Sequence, residues 1–482
     1  MTRPSETPPV TQSTGLHTGR PIVTSSLLPR ARRRKTYWKN LFVLSLAFFF
    51  VFTAYMSIQN LQSSLNTEED LGVISLTIVY GSVVFSCIFI APILIRKFGT
   101  KWTMAGSIVM YSVYTACNYY PTYGTLIPSS FLIGLAAAPL WTAQGTYLTT
   151  SAISLADLTN EVPETLLNRF NGIFFVIFQS NQVVGNLISS LVLQQTDETS
   201  PNNTGYCGRC SCNKASSNST GDSRQPDKSL VNTLLTVYLV IGIIGLLLVV
   251  FFLDTLPTFQ SSRMDRRECM QKWLETLGIL RNPILVLLVP LMMYSGIEQA
   301  FVAGDFTKAY VTCAKGVEWV GYVMICYGGA DAVSSYLLGR LEKYTGRLIL
   351  FSLGGLVQMI LIVTMYLWHP KADDDIWKFM LIAAGWGFGD AVWQTQICSI
   401  VGVLFPDKQE SAFANFRLWQ SLGFSVAFAC SIPNNVCIHH KLFGFGGWLV
   451  MSMVAYYTVE IIVHRTKPGY LEVKVMESDA IG

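Results

Sequence analysis

The feature that most constrains this chain is a series of long apolar blocks, each about 18 to 28 residues in length. A helix needs roughly 20 residues to cross ~30 Å of hydrocarbon, and hydrocarbon cannot hydrogen-bond to exposed backbone groups. Strands of an outer-membrane barrel would be shorter and would alternate apolar with polar residues. The sequence therefore predicts an all-α, polytopic membrane protein.

Twelve such blocks are predicted as spans, six in each half of the chain. The first six cover 38–61, 72–95, 103–120, 126–153, 170–193 and 230–253, and the second six cover 284–301, 317–338, 348–368, 377–404, 413–432 and 444–463. The predicted organisation is a tail (1–37), a six-helix bundle (38–253) with an outer loop (196–229), a linker (254–282), a second six-helix bundle (283–463) and a short tail (464–482).

The composition agrees with this interpretation. Charged residues make up 13% of the 482 residues, about half of the ~25% found in ordinary globular proteins. Such a chain lacks the charged surface of a soluble enzyme or a nucleic-acid-binding protein, and its partner is expected to be the lipid bilayer. The five histidines lie outside the apolar blocks without catalytic or metal-ligand spacing, so we expect no enzyme activity, no cofactor and no metal.

The distribution of basic residues predicts the orientation. With the N-terminus placed inside, the inner segments hold 25 of the 34 Lys and Arg residues and the outer segments hold 9. Lys and Arg are enriched in cytoplasmic loops, so both tails are predicted to be cytoplasmic, in the plasma membrane or alternatively in an endosomal membrane. Asn202 and Asn218 begin N-x-[ST] sequons in the long outer loop, which predicts glycosylation there.

Five of the eleven cysteines fall in segments predicted to be outside. Three of them form the cluster Cys207-x-x-Cys210-x-Cys212, which is followed by no further ligand at zinc spacing. Because disulfides are favoured in an oxidising compartment, all five are candidates for disulfides, and the sequence does not determine which cysteines pair. The five are Cys207, Cys210, Cys212, Cys313 and Cys437.

An internal repeat connects the two sets of six blocks. Short basic segments follow the second and the eighth block, with Gly99 and Gly346 separated by 247 residues. A Trp and a Gln three residues apart occur in the fourth and tenth blocks, and an aromatic-Gln-Ser string occurs in the fifth and eleventh. The positions are Trp141, Gln144, Trp393, Gln396, Gln179 and Gln420.

This arrangement resembles the major facilitator superfamily, whose signature lies in the inner loops after helices 2 and 8. The residues that fit this gate-loop motif are Gly99, Lys101, Gly339, Gly346 and Arg347. The resemblance implies two six-helix bundles related by a pseudo-repeat. The chain departs from the motif at its Asp, which is replaced by Arg96 in the first copy and by Lys343 in the second. That Asp normally supports a charge network at the inner gate, so its loss weakens the expectation of a standard transport cycle.

Longer strings resemble the uncoordinated-93 family, a branch of that superfamily, over about residues 40–465. They include Ala138–Gln144, Gly185–Leu191, Gly389–Gln396 and Ala412–Trp419. The resemblance implies a regulatory subunit of a potassium channel that uses the transporter fold. The alternatives are a carrier that couples a small solute to a proton or cation, and an escort for receptor trafficking.

Three carboxylates within the predicted spans are candidates for a cation or proton site, because an ionised side chain at the bilayer centre costs roughly 2.5–3.5 kcal/mol on insertion scales. Asp390 is the deepest, Asp331 lies in the inner half of the eighth span, and Glu298 lies near the outer end of the seventh. No Lys or Arg is predicted at the depth of Asp390. The alternative is that these are structural carboxyls, protonated or hydrogen-bonded.

The repeated Trp and Gln residues are candidates for the lining of a central cavity: Trp141, Gln144, Gln179, Trp393, Gln396 and Gln420. The alternative for the amides is hydrogen bonding between helices, and for the Trp residues it is packing. The string Gly385-x-Gly387-x-Gly389 lies inside a span, where it indicates close helix packing and not a nucleotide loop.

Overall fold

The computed structural model describes residues 30–66, 70–161, 163–193, 207–211, 227–256, 278–405, 409–432 and 436–466. The predicted sequons at Asn202 and Asn218, Cys212, most of the linker and most of both tails lie outside these ranges.

Within these ranges the chain forms twelve long helices and no strands. The bounds are α1 Arg30–Leu65, α2 Leu71–Phe89, α3 Ala91–Cys117, α4 Tyr123–Thr159, α5 Pro163–Leu193, α6 Lys228–Leu247, α7 Pro283–Ala300, α8 Glu318–Thr345, α9 Arg347–Leu367, α10 Ile376–Leu404, α11 Gln409–Ala429 and α12 Ile438–Thr466. A π-helical turn, Leu248–Phe252, extends α6, and α7 continues through π-helical Phe301–Thr312 to Lys315.

Eight of these helices are long and apolar enough to cross a membrane: α1, α2, α4, α5, α6, α7, α9 and α12. The other four, α3, α8, α10 and α11, are of similar length, and three of them carry the polar residues Asp331, Asp390 and Arg417. Each of these four helices packs against at least one of the eight apolar helices. That each of them also crosses the membrane stays a prediction.

The helix contacts repeat after a shift of six helices. In the first half α1 packs against α5 and α6, and α4 packs against α2 and α3; in the second half α7 packs against α11 and α12, and α10 packs against α8 and α9. Between the halves, α2 contacts α11 and α5 contacts α8, two pairs that the same shift exchanges. The two halves therefore have equivalent helix arrangements, as the repeat predicted.

The paired glycines of the repeat adopt nearly the same backbone conformation. Gly99 has φ 73° and ψ 169°, and Gly346 has φ 73° and ψ 156°. Side chains with a Cβ rarely adopt positive φ, so glycine is needed at both positions. In the first copy Gly99 separates two helices within the range Ala91–Cys117, because its backbone is non-helical and kinks the chain there, and Pro92 lies in the first turn of the earlier helix. Proline suits the first turn of a helix because its missing N–H is unpaired there anyway.

The seventh helix is much longer than its apolar block. The predicted span ended at residue 301, but the helix continues to Lys315. Hydropathy falls there because Asp305 and Lys308 are charged, yet Asp305 pairs with Lys441 at 2.8 Å and Lys308 pairs with Asp70 at 3.4 Å. The prediction that Glu298 lies near a helix end is therefore wrong, since the residue is at the middle of a 33-residue helix.

The two halves meet closely at one end of the molecule, which we call the disulfide end: the end at which α1, α5 and α7 finish and α8 begins. Ser63 donates a hydrogen bond to the carbonyl oxygen of Gly304 at 3.0 Å, and the rings of Tyr80 and Phe424 stack with centroids 4.1 Å apart. A disulfide joins Cys207, after α5, to Cys313 at the end of α7. The halves are therefore covalently connected at this end.

Candidate functional site

Asp390 lies on α10 and is 5% exposed. Tyr327 of α8 donates its hydroxyl hydrogen to Oδ2 at 2.8 Å. The side-chain amides of Gln299 on α7 and Gln394 on α10 donate to Oδ1 at 3.1 and 3.3 Å. The structure thus surrounds Asp390 with hydrogen-bond donors from three helices.

Asp331, also 5% exposed, connects the two halves. Its Oδ1 accepts a hydrogen bond from Ser335, one turn along α8, at 3.2 Å. Its Oδ2 accepts a hydrogen bond from the amide of Gln179 on α5 at 2.9 Å. Gln179 belongs to the first half of the chain, so this carboxyl forms a polar contact between α5 and α8.

Glu298 completes the group of buried carboxyls and differs from the other two. Its side chain is 0% exposed, and neither Oε1 nor Oε2 has a hydrogen-bond partner in the described part of the chain. Asp390 and Asp331 both interact with it electrostatically. The three carboxyls, which the sequence proposed together as a candidate site, are therefore close enough to interact electrostatically.

One basic residue reaches this group. Arg417 on α11 interacts electrostatically with Asp390 and donates a hydrogen bond to Gln420 Oε1 at 2.8 Å. The prediction that no basic residue acts at the depth of Asp390 is therefore wrong. The sequence placed Arg417 at the inner end of its span, but α11 begins at Gln409, so Arg417 lies about two turns inside the helix.

The residues predicted to line a cavity fall into different environments. Trp141 is half-buried against Phe48, Phe52 and Phe178, with ring centroids 5.1 to 5.5 Å away. Trp393 is fully buried and donates its indole N–H to Gln358 at 2.8 Å. Both residues pack against other aromatic rings, the alternative that the sequence left open, and Trp393 adds the hydrogen bond to Gln358.

The four amides also differ from one another. Gln144 and Gln396 are buried, and Gln396 Nε2 lies 3.4 Å from the hydroxyl of Thr395. Gln179 makes the contact with Asp331 across the halves, whereas Gln420 donates to Ser295 on α7 at 2.9 Å. Hydrogen bonding between helices is thus observed for Gln179 and Gln420, and a cavity-lining role for any of the four stays a prediction.

The glycine string in α10 produces close packing, as predicted. A Cβ on Gly387 would collide with the carbonyl oxygen of Tyr327 on α8, and a Cβ on Gly389 would collide with the side chain of Gln358 on α9. The close approach at Gly387 brings α8 and α10 together one turn from Asp390. It therefore helps to place Tyr327 against that carboxyl.

The gate-loop residues include one strong ion pair. Arg347 donates from Nε to Glu460 Oε1 at 2.6 Å and from Nη2 to Oε2 at 3.0 Å, which ties the start of α9 to α12. Lys101 lies over the ring of Trp102, 5.4 Å from its centroid. Gly339 lies in the last turns of α8. The motif residues are therefore distributed over three helices.

On the disulfide end, Cys437, His439 and His440 present ligand atoms within 4.8 Å of one another. Cys437 is disulfide-bonded, and metal ions bind the thiolate form of cysteine. The trio offers only two nitrogen ligands, which does not fit a four-ligand structural metal site.

Sequence reasoning missed three residues that bind the buried carboxyl of Asp390. Tyr327, Gln299 and Gln394 carry the donors to Asp390, and only Gln394 could have been found, because it lies four residues after Asp390 on the same helix face. Tyr327 and Gln299 come from other helices, and helix packing that no local pattern encodes brings them to the site.

Comparison with known proteins shows which family the chain resembles. The family model described as "UNC-93: Ion channel regulatory protein UNC-93" matches residues 64–457. Protein unc-93 homolog A of Bos taurus is 44% identical over 439 residues, covering 90% of this chain and 95% of that protein. Homolog A of Homo sapiens is 41% identical over 430 residues, covering 88% and 93%.

A Caenorhabditis elegans unc-93 protein, named as a candidate potassium channel regulatory protein, is 34% identical over 444 residues, covering 90% of this chain and 62% of that protein. Among solved structures, the nucleoside transporter NupG has a TM-score of 0.61 at 12% identity, covering 87% of this chain and 98% of that chain. The Escherichia coli xylose transporter XylE has 0.59 at 11%, covering 88% and 98%. At such identities the likeness shows the fold alone, which is that of major facilitator transporters. The chain is a multi-pass membrane protein that belongs to the UNC-93 family.

Proposed function

We propose that this protein regulates a potassium channel as a membrane subunit that has the transporter fold. The observation that carries the proposal is the alignment with the Caenorhabditis elegans protein named for potassium channel regulation, which covers 90% of this chain. The likeness extends over both sets of six helices and is not confined to one segment. The family model, whose description names ion channel regulation, spans residues 64–457.

The gate-loop sequence supports this proposal over a standard carrier. Arg96 and Lys343 stand where the superfamily signature has Asp, so neither copy can form the usual carboxylate interactions at the inner gate. A regulatory subunit acts through a stable surface that contacts the channel. It does not require the inner gate to open and close repeatedly, as a carrier does. The proposed setting is the plasma membrane, with both tails in the cytoplasm.

The test is to record potassium current from cells that express a two-pore potassium channel alone, this protein alone, or both, at matched surface levels of the channel. We expect the current of the channel to change in amplitude or in gating only when both are present. As a control, Gly387→Ala should reduce any effect in proportion to the loss of folded protein. Identical currents with and without this protein, across several two-pore channels, would refute the proposal.

A second candidate function is the carriage of a small solute coupled to a proton or cation. The observation that favours it is the group of buried carboxyls, one of which, Asp331, contacts Gln179 across the two halves. Such a contact would have to break and re-form as the halves move. Uptake of labelled solutes at two external pH values, with cells lacking the protein as the control, tests this candidate.

A further inference from the structure

We propose that Glu298 is a proton-binding site. In the arrangement described here its side chain carries a proton, and release of that proton places a further negative charge against Asp331 and Asp390 and weakens the contact between the halves. The inference concerns the chain itself. It requires neither a channel partner nor a solute.

The first argument is the environment of the side chain. Glu298 is 0% exposed and neither of its oxygens receives a hydrogen bond from any described residue. An unpaired, unsolvated carboxylate is strongly disfavoured in such surroundings, and protonation removes the charge. Other acids of the second half are paired: Glu460 binds Arg347 and Asp305 binds Lys441. Glu298 has no such cation among the residues described.

The second argument is the set of groups that face Glu298. From α8 these are Tyr327 and Asp331, from α10 Asp390, and from its own helix Tyr294. From α11, Gln420 bonds to Ser295 one turn before it, and Arg417 interacts with Asp390. From α12, Trp448 and Ser452 bond to the carbonyl oxygen of Pro290, while Lys441 and Glu460 are paired elsewhere. The charged groups that act on Glu298 are therefore the acids Asp390 and Asp331.

The third argument distinguishes a proton from a metal cation. Ca²⁺ takes 6–8 oxygen ligands, and Mg²⁺ prefers six. The oxygens of Asp390 already accept hydrogens from Tyr327, Gln299 and Gln394, and an arriving cation would meet these N–H and O–H hydrogens. Both oxygens of Asp390 are therefore already occupied by donors of the protein, as are those of Asp331. The acid that remains without donors, Glu298, is the group to which a proton adds.

The consequence for the molecule follows from Asp331. This residue accepts the hydrogen bond from Gln179 that joins α8 to α5, and it interacts electrostatically with Glu298. When Glu298 is neutral, it adds no charge to the region of Asp331 and Asp390. When Glu298 becomes charged, it interacts unfavourably with these two acids, and repulsion between like charges is stronger in the protein interior than in water. Separation of α5 from α8 relieves that repulsion by admitting water.

The direct test uses the purified full-length chain in lipid nanodiscs and infrared difference spectra recorded across a pH titration. A protonated carboxylic acid shows a C=O stretch that carboxylates lack, and we expect such a band at neutral pH in the wild type. Glu298→Gln should abolish it, whereas Glu460→Gln, which changes an acid paired with Arg347, should leave it. A band that survives in Glu298→Gln, or no band in the wild type, would overturn the proposal.

A second variant keeps the test decisive if Glu298→Gln fails to fold. Asp390→Asn removes a neighbouring negative charge, so Glu298 should release its proton at lower pH and the midpoint of the band should shift downward. An unchanged midpoint would count against the electrostatic part of the proposal.

Oxidative cross-linking measures how the charge of Glu298 affects the contact between the halves. The double variant Ser63→Cys, Thr307→Cys is used, because the native hydroxyls of these residues on α1 and α7 lie 3.5 Å apart. Because the thiolate is the reactive form, the rate of cross-linking rises with pH in any background. We therefore expect the ratio of the rate with native Glu298 to the rate with Glu298→Gln to fall as pH rises. The same pH dependence with and without Glu298→Gln would refute the coupling. These outcomes are independent of the potassium-current experiment, so failure of either proposal can be recognised separately.

Discussion

A single amide oxygen organises the aromatic interior of the second half. Gln358 Oε1 accepts the hydroxyl of Tyr294 at 2.5 Å and the indole N–H of Trp393 at 2.8 Å, and all three side chains are buried. We expect Gln358→Leu to leave both donors without a partner, at a cost of about 1–3 kcal/mol for each. Thermal unfolding of the purified protein measures the loss.

The matched control for this variant is Thr364→Val on the same helix. Among the described residues, the exposed hydroxyl of Thr364 bonds only to the carbonyl oxygen of Ile360 in its own helix. It should change the unfolding temperature little. Equal effects of Gln358→Leu and Thr364→Val would show that the amide does not hold the two aromatic donors.

The ion pair between Arg347 and Glu460 gives a second prediction at this scale. Both side chains are mostly buried, 17% and 15% exposed, so Glu460→Ala leaves a guanidinium without its bidentate partner. Because some solvent still reaches the pair, we expect a loss of about 2 kcal/mol, below the 3–5 kcal/mol of a fully buried pair. Arg347→Leu combined with Glu460→Leu should cost less than Glu460→Ala, and additive losses in thermal unfolding would contradict the coupling.

Individual residues were predictable from the sequence to different degrees. An acid inside an apolar block is conspicuous, so Asp390 and Asp331 could be selected as candidates without a structure. The partners of these acids could not, because Tyr327 is 63 residues from Asp390 and Gln299 is 91 residues away. Gln358 had no local signal at all, since its role arises only when α9 packs beside α10.

Pairs of helices approach closely where glycine removes the side chain. Gly387 on α10 lies against the backbone of Tyr327 on α8, and Gly134 on α4 lies against the backbone of Val79 on α2, the equivalent pair in the first half. We expect Gly387→Ala to force α8 and α10 apart and to destabilise the protein by about 1–3 kcal/mol, the usual range for overpacking. Gly329→Ala is the control, because nothing lies within 4 Å of its added Cβ. Size-exclusion profiles and thermal unfolding should distinguish the two variants.

The segments that carry the altered gate motif provide another test at the level of elements. Arg96→Asp and Lys343→Asp recreate the acidic residue of the superfamily signature. If the protein is a regulator, we expect uptake of labelled solutes to stay at background in both variants and in the double variant. A clear gain of uptake at equal surface level would favour the carrier function instead.

Helix positions followed well from hydropathy, and helix ends did not. The apolar blocks located all twelve long helices of the described ranges, because a helix that crosses lipid needs about 20 mostly apolar residues in succession. The end of α7 was missed by fourteen residues, since Asp305 and Lys308 reduce hydropathy but find partners on α12 and at the start of α2. That error also misplaced Glu298, so the most unusual carboxyl of the site had been assigned to a helix end.

For the whole molecule, the predicted orientation has a simple test. We expect Asn202 and Asn218 to carry glycans on the outside and both tails to face the cytoplasm. Replacement of both Asn residues by Gln should collapse the glycosylated gel band to one species. An N-terminal tag that antibodies reach on intact cells would reverse the orientation.

The disulfide between Cys207 and Cys313 closes a covalent loop in the chain. The two cysteines are separated by 106 residues, and the segment 257–277 lies between them in sequence. A protease that cuts within this segment severs the polypeptide but not the particle, because the fragments remain bonded through sulfur. On a denaturing gel the cut protein should run as two fragments with reductant and as one full-mass band without it. The two halves of this molecule thus stay in fixed stoichiometry even after the peptide bond that joins them is lost.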